Sequence, residues 1–157
     1  MKNTEIERKY LLHDDSYLGL ATAVKYIQQG YLSTDPDRTV RVRRCDDKAY
    51  LTIKGKNKEG GVSHFEWEKQ ISVADAEALL PLCKGIIISK KRYLVPWREL
   101  TVEVDVFEGA HRGLAFAEIE IPSEDYEFEL PPFVGDEVTA DKRYQNSYLS
   151  EHESITP

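Results

Sequence analysis

Seven stretches of this chain carry two like-charged side chains at positions i and i+2: Glu5/Glu7, Arg41/Arg43, Lys54/Lys56, Glu66/Glu68, Lys90/Arg92, Glu103/Asp105 and Glu118/Glu120. An extended strand sends alternate side chains to opposite faces, so each pair would share one face of its strand. A single pair of this kind reads as a solvated strand edge, since exposed charge is cheap and edge strands use it against aggregation. Seven in succession weaken that reading. An ordinary exposed sheet mixes both signs with Thr, Ser and Gln, whereas each of these rows is nearly single-signed. Turned toward one another, Arg41, Arg43, Lys54, Lys90 and Arg92 make a clamp for a ligand with several anionic oxygens, the arginines as bidentate forks and the lysines as point charges. Clustered Glu oxygens select a hard divalent cation such as Mg²⁺ or Mn²⁺. A polyphosphate with its metal meets both demands, and phosphoryl transfer asks little of a protein beyond positioning and charge neutralisation.

The elements that must position these rows are short strands joined by turns. The first strand runs to about Leu12, and Asp14-Asp15-Ser16 supplies caps for a short helix to about Ala23. A strand over Val24–Leu32 places Ile27, Gln29 and Tyr31 on one face. Beyond the Asp35-Pro36-Asp37 turn, 39–44 and 49–56 alternate, with Val40 and Val42 opposite Arg41 and Arg43. Gly55 to Gly61 has the glycines of a long hairpin loop, and its Gly-Lys pair lacks the spacing and Ser/Thr of a phosphate-binding loop. Glu66 and Glu68 oppose Phe65, Trp67 and Ile71 on the next strand, and Ser72 caps a helix from Val73 to about Leu82. Strands follow over 86–95, 102–106 and 117–121, Pro131-Pro132 excludes regular structure, and a last helix covers Ala140 to Leu149. Strands in sequence with short turns predict an antiparallel meander, and a meander that closes becomes a barrel. With the charged rows inward, the lumen is a polar tunnel, and the Val and Ile faces lie outward, partly covered by helices. Charge so confined needs partners: acids facing bases, metal ions or a bound anion.

Composition bounds the remaining classes. The 157 residues suit one domain over 1–157, with no repeat, linker or low-complexity tract. Twenty-eight acids against 21 bases give a net charge of −7, which argues against nucleic-acid binding by overall field. No apolar stretch is long enough for a membrane span and the opening leads into charge, so the expectation is a cytoplasmic protein with no membrane partner. Cys45 and Cys83 stand alone and the four histidines lack ligand spacing, which indicates neither a disulfide framework nor a zinc site.

Glu5-Ile6-Glu7-Arg8-Lys9, Arg41-Val42-Arg43, Leu51-Thr52-Ile53-Lys54, Glu66-Trp67-Glu68, Lys90-Lys91-Arg92-Tyr93, Glu103-Val104-Asp105, Glu118-Ile119-Glu120 and Asp141-Lys142-Arg143-Tyr144, in this order, resemble the CYTH or triphosphate tunnel metalloenzyme superfamily. The resemblance spans essentially the whole chain, and Gln29-Gly30-Tyr31-Leu32 makes it most like the short bacterial inorganic triphosphatases. It implies an α+β, mostly β fold: a closed eight-stranded antiparallel barrel with a charged interior and a few flanking helices. It also implies a hydrolase that uses Mg²⁺ or Mn²⁺, two ions with substrate bound, to cleave a small anionic triphosphate. Carried over by motif, Glu5, Glu7, Asp105, Glu118 and Glu120 would hold metal, and Lys9, Arg41, Arg43, Lys54, Lys90 and Arg92 would grip substrate. Glu5, Glu7, Lys9, Lys90 and Glu120 would form the catalytic group. Glu66 and Glu68 would partner the basic residues, Glu103 would support the site behind Asp105, and Tyr31 and Asp141 would stand at the tunnel ends. The same resemblance leaves open a class IV adenylate cyclase, a thiamine triphosphatase, a binding module without turnover, and a homodimer.

Overall fold

The computed structural model describes residues 4–57 and 63–153, the side chains of residues 4, 5, 57, 63 and 64 excepted. Among the described residues nine strands form one antiparallel sheet: β1 Thr4–Leu12, β2 Ala23–Ser33, β3 Arg38–Cys45, β4 Lys48–Asn57, β5 Ser63–Ile71, β6 Lys84–Trp97, β7 Leu100–Glu108, β8 Ala115–Glu120 and β9 Val134–Glu137. Their spatial order is β5-β4-β3-β2-β6-β7-β8-β1-β9, and β5 also pairs with β1. That last ladder turns the sheet back on itself, through three residue pairs among the described residues, Thr4↔Phe65 to Ile6↔Ser63. Farther along the same edge β1 takes β9 instead, through Tyr10↔Glu137 and Leu12↔Val134. The expected closure is thus present among the described residues as a seam at one end of β1, not as a ladder along its whole length. Strand β9 was hidden from the pattern because two prolines precede it and it spans four residues.

Register carries the charged rows inward together. Glu7 lies opposite Glu120, Lys9 opposite Glu118, Glu103 opposite Glu118, Arg92 opposite Asp105 and Lys54 opposite Glu66. The apolar rows pack on the outside of the sheet, as a barrel with a polar lumen requires. Val95, Val102, Val104, Ala117 and Ile119 bury themselves under Tyr17 and Phe133. Val42 and Ala49 bury themselves against Ala76. Tyr17 belongs to α1, Tyr17–Leu20, a single turn where the sequence predicts helix to about Ala23. Ala76 belongs to α2, Val73–Leu79, which continues as a 3-10 turn over Leu80–Leu82. Its Ser72 cap is as expected, the hydroxyl accepting from Asp75 N at 3.0 Å. The last predicted helix is broken: a 3-10 turn over Lys142–Tyr144, an extended Gln145, then α3 Asn146–Leu149.

The inner face is not charged along its whole length. Tyr31, Ile88, Phe107 and Phe116 share strand parity with Gln29, Lys90, Asp105 and Glu118, and they form a buried cluster with Leu149 of α3. Charge thus gives way to an apolar stopper over which the C-terminal helix lies. Among the described residues no helix is long and apolar enough to cross a membrane.

Candidate functional site

The lumen is a cavity of about 710 Å³. Its basic wall is built by Arg41 and Arg43 of β3, Lys54 of β4 and Arg92 of β6, with Lys9 of β1. Its acidic lining comes from Glu7, Glu103, Glu118 and Glu120 on β1, β7 and β8, and from Glu66 and Glu68 on β5. Tyr31 also faces it, the single aromatic among the described lining residues. The side chain of Glu5 lies outside the described residues.

Two expected site residues are placed behind the wall. Lys90, 1% exposed, and Asp105, 0% exposed, meet at 2.6 Å and are not part of the cavity lining. Asp105 also accepts from Arg92 at 2.8 Å (Nε to Oδ1) and 2.9 Å (Nη2 to Oδ2), so both of its oxygens are spent on cations. Asp105, expected to hold metal, and Lys90, expected to grip substrate, are placed as a buried counter-ion system under Arg92. Burial alone would raise the Asp105 carboxyl, but Arg92 and then Lys90 outweigh it and hold it well below the usual range. Burial pulls Lys90 down to about 8 against the opposing field of Asp105. Arg92 is held well above its ordinary value because Asp105 and Glu103, the latter at 3.3 Å, overcome the cost of its burial.

The other cations differ in how fully they are matched. Arg41 donates to Thr52 Oγ1 at 3.2 Å, and Thr52 in turn donates to Glu68 at 2.7 Å. Glu68 itself stands 3.7 Å from Arg41. Arg43 donates its Nε to Gln29 Oε1 at 2.8 Å, and among the described residues no carboxylate pairs with it. Burial, then Arg41 and Arg92, push its pKa down to about 10. Three guanidiniums thus repel one another around the cavity, with Arg43 the least compensated.

On the acidic side Glu118 is buried, and its Oε1 has no hydrogen-bond partner among the described residues. Burial raises its pKa, but Lys9 leads the opposing charges, which bring it to about 2. An ionised, buried carboxylate with a bare oxygen suits a cation. Glu7 and Glu120 lie on the adjoining rungs of β1 and β8. Among the described residues no three acidic side chains already converge as a metal cluster, so this set is a partial shell that a ligand's own oxygens would complete. Glu103 is the reverse case: burial, reinforced by Glu118 and Asp105 against the pull of Arg92, raises its carboxyl.

The C-terminal segment supplies residues that sequence reasoning missed. Lys142, Gln145, Asn146 and Ser147 line the cavity. Asn146 Oδ1 accepts from Lys90 at 3.1 Å, and the Tyr144 carbonyl accepts from Lys9 at 2.9 Å. Asp141, expected at a tunnel end, instead caps its 3-10 turn and pairs with Arg143 at 2.6 Å, away from the lining. Thr52 could have been found from its shared parity with Lys54. Asn146 offered no such signal, because its contact spans 56 residues of sequence.

An inward-charged antiparallel barrel, with arginines facing carboxylates across one cavity, defines a class of protein built to hold a polyanion together with cations. The model of the CYTH domain matches residues 3–150, and the chain belongs to this family. It is 45% identical over 146 residues to the inorganic triphosphatase of Acetivibrio thermocellus, covering 92% of each chain. It is 40% identical over 154 residues to the inorganic triphosphatase of Nitrosomonas europaea, covering 94% of this chain and 97% of that one. The crystal structure of the inorganic triphosphatase NE1496 superposes with a TM-score of 0.65 at 34% identity, covering 98% of this chain and 100% of that one.

Proposed function

We propose that the protein is a divalent-metal-dependent hydrolase that cleaves inorganic tripolyphosphate to pyrophosphate and phosphate. The observation that carries this reading is Arg43: a cation crowded by Arg41 and Arg92, with no ion-paired carboxylate among the described residues, on a cavity whose opposite lining includes the ionised Glu118. Such a cation is stabilised by a bound polyanion more than by anything the protein itself offers. The names of the relatives at 45% and 40% identity support the same substrate class.

Arg41, Arg43, Lys54 and Arg92 bind and orient the phosphate chain, and the Lys90–Asp105 pair beneath Arg92 fixes its fork. Glu7, Glu118 and Glu120, with Glu5, would hold Mg²⁺ or Mn²⁺, which supplies neutralisation of the charge developing on the phosphoryl oxygens. Although burial opposes it, the charge of Lys9 and of the neighbouring cations holds Glu118 in its anionic form, the form that would receive a cation. In the overall step a water oxygen bonds to the terminal phosphorus, the bridging P–O bond breaks with its electron pair leaving on pyrophosphate, and the water's proton passes to solvent. With one aromatic, Tyr31, among the described lining residues, the cavity has little on which to stack a nucleobase or thiazole, which favours the inorganic substrate over a cyclase or thiamine triphosphatase reading.

Purified protein with Mg²⁺ or Mn²⁺ should release phosphate from tripolyphosphate and form no cyclic AMP from ATP. Failure to release phosphate from any triphosphate would end this reading.

A further inference from the structure

Gln29 is fully buried on β2, at 0% exposure, directly across the ladder from Arg43. Its amide oxygen accepts from Arg43 Nε at 2.8 Å. Because an arginine nitrogen can only donate, the oxygen must face it, and the amide Nε2 is turned away. That nitrogen is buried with no hydrogen-bond partner among the described residues. A donor orphaned in a buried site is a cost to stability, so packing does not explain why an amide stands there.

Comparison with the neighbouring cations suggests what does. Arg41 has Glu68, Lys90 has Asp105, and Arg92 has both Asp105 and Glu103. Each of these partners fixes its cation and cancels its charge together. Gln29 differs in performing the first task without the second. A neutral oxygen at 2.8 Å gives the guanidinium a direction, yet leaves its full charge directed at the cavity that Arg43 lines.

We propose that Gln29 is the positioning residue of Arg43, an amide in place of a carboxylate so that the guanidinium is oriented and stays unneutralised for the triphosphate to pair with. This rests on the triphosphate reading above, and it assigns to β2 a part in substrate affinity that neither the charged rows nor the cavity lining disclose, since Gln29 does not itself line the cavity. The depressed proton affinity of Arg43 agrees with it, since a carboxylate at that distance would have raised it.

The test is Gln29→Glu, which keeps the shape and the oxygen and adds the missing charge. Binding of sodium tripolyphosphate is measured by titration calorimetry in metal-free buffer, and the melting temperature of the unliganded protein is measured beside it. The expected result is a Kd at least about tenfold weaker than wild type, with a melting temperature equal to or above wild type, because the ion pair stabilises the empty protein while removing charge the substrate needs. Turnover with metal should show the loss in KM and not in kcat. A smaller change in Kd overturns the proposal, as does a weaker Kd accompanied by a lowered melting temperature, which would mark a purely structural part. If Gln29→Glu does not fold, Gln29→Met decides: it removes the acceptor at similar volume, and tripolyphosphate affinity unchanged from wild type overturns the proposal. Wild-type protein that binds no tripolyphosphate refutes the triphosphate reading itself, which separates the two failures.

Discussion

Asp105→Asn is the substitution whose effect the structure states most sharply. One carboxylate, wholly buried, serves two cations: Lys90 Nζ at 2.6 Å, and Arg92 through Nε at 2.8 Å and Nη2 at 2.9 Å. The amide that replaces it turns an NH₂ group toward at least one of these donors. Removing one partner of a buried pair costs about 3–5 kcal/mol, because the other charge stays buried and uncompensated. Lys90 has an escape, for its pKa is already down to about 8 and it can shed its proton once Asp105 is gone. Arg92 has none, since a guanidinium does not deprotonate in this range, and among the described residues it keeps Glu103 at 3.3 Å and the weaker field of Glu118. The net loss is therefore set in the middle of that range, about 4 kcal/mol. At about 2–4 °C per kcal/mol for a chain of this size, the midpoint should fall by roughly 8–16 °C.

The assay is thermal unfolding in metal-free buffer at pH 7. A drop below about 4 °C there would refute the counter-ion reading, because a mere metal ligand would cost nothing until metal was added. The pH dependence offers a second check. The folded-state pKa of Asp105 lies below its unfolded value, so its stabilisation is fully present above about pH 4 and is lost as pH falls toward the folded value. Asp105→Asn should thus flatten the acid side of the stability curve. Lys90 is also lowered, so between about 8 and its ordinary value the unfolded chain holds more protons and wild-type stability should rise with pH.

Three further outcomes follow from the same coordinates. Glu118→Ala removes an ionised carboxylate with a bare oxygen and should abolish turnover at ordinary metal concentrations, whereas Arg43→Ala should chiefly raise KM; steady-state kinetics showing equal effects on kcat and KM in both variants would contradict this division. Gly30→Ala places a methyl 2.8 Å from both Cys83 Cβ and Ile87 Cδ1, beneath the turn that follows α2, and should cost about 1–3 kcal/mol by denaturant titration. Ser72→Ala deletes the cap of α2 and should cost about 1 kcal/mol while leaving tripolyphosphate hydrolysis at wild-type rate, since Ser72 is no part of the cavity lining.

The period-two charge rows were legible because a strand's alternation is a local property, and once seven rows share a parity the face they choose is a collective one. The inward placement of Glu7, Arg41, Arg43, Lys54, Arg92 and Glu118 followed from that, and the antiparallel sheet from short turns between successive strands, whereas the pairing of β2 with β6 and of β8 with β1 departs from a simple meander. What stayed hidden depends on depth along the lumen, which parity does not encode. Lys90 and Arg92 sit two residues apart on one face, and so do Asp105 and Glu103, yet Arg92 and Glu103 reach the cavity while Lys90 and Asp105 lie beyond its wall, next to the apolar stopper of Ile88, Phe107 and Phe116. The inner face therefore grades from exchangeable charge, through a satisfied ion pair, to hydrocarbon, each layer one strand repeat from the next. This order has an energetic reason. A tripolyphosphate must find cations that water or substrate can reach, and those cations hold their geometry only if the layer behind them is neutral in sum and rigid, which Lys90–Asp105 provides, and if water is excluded behind that, which Phe107 and Phe116 provide. Gln29 lies on the same inner row, one repeat from Tyr31 of the stopper, and is the one position where a charged partner would have completed the layer at the expense of the ligand.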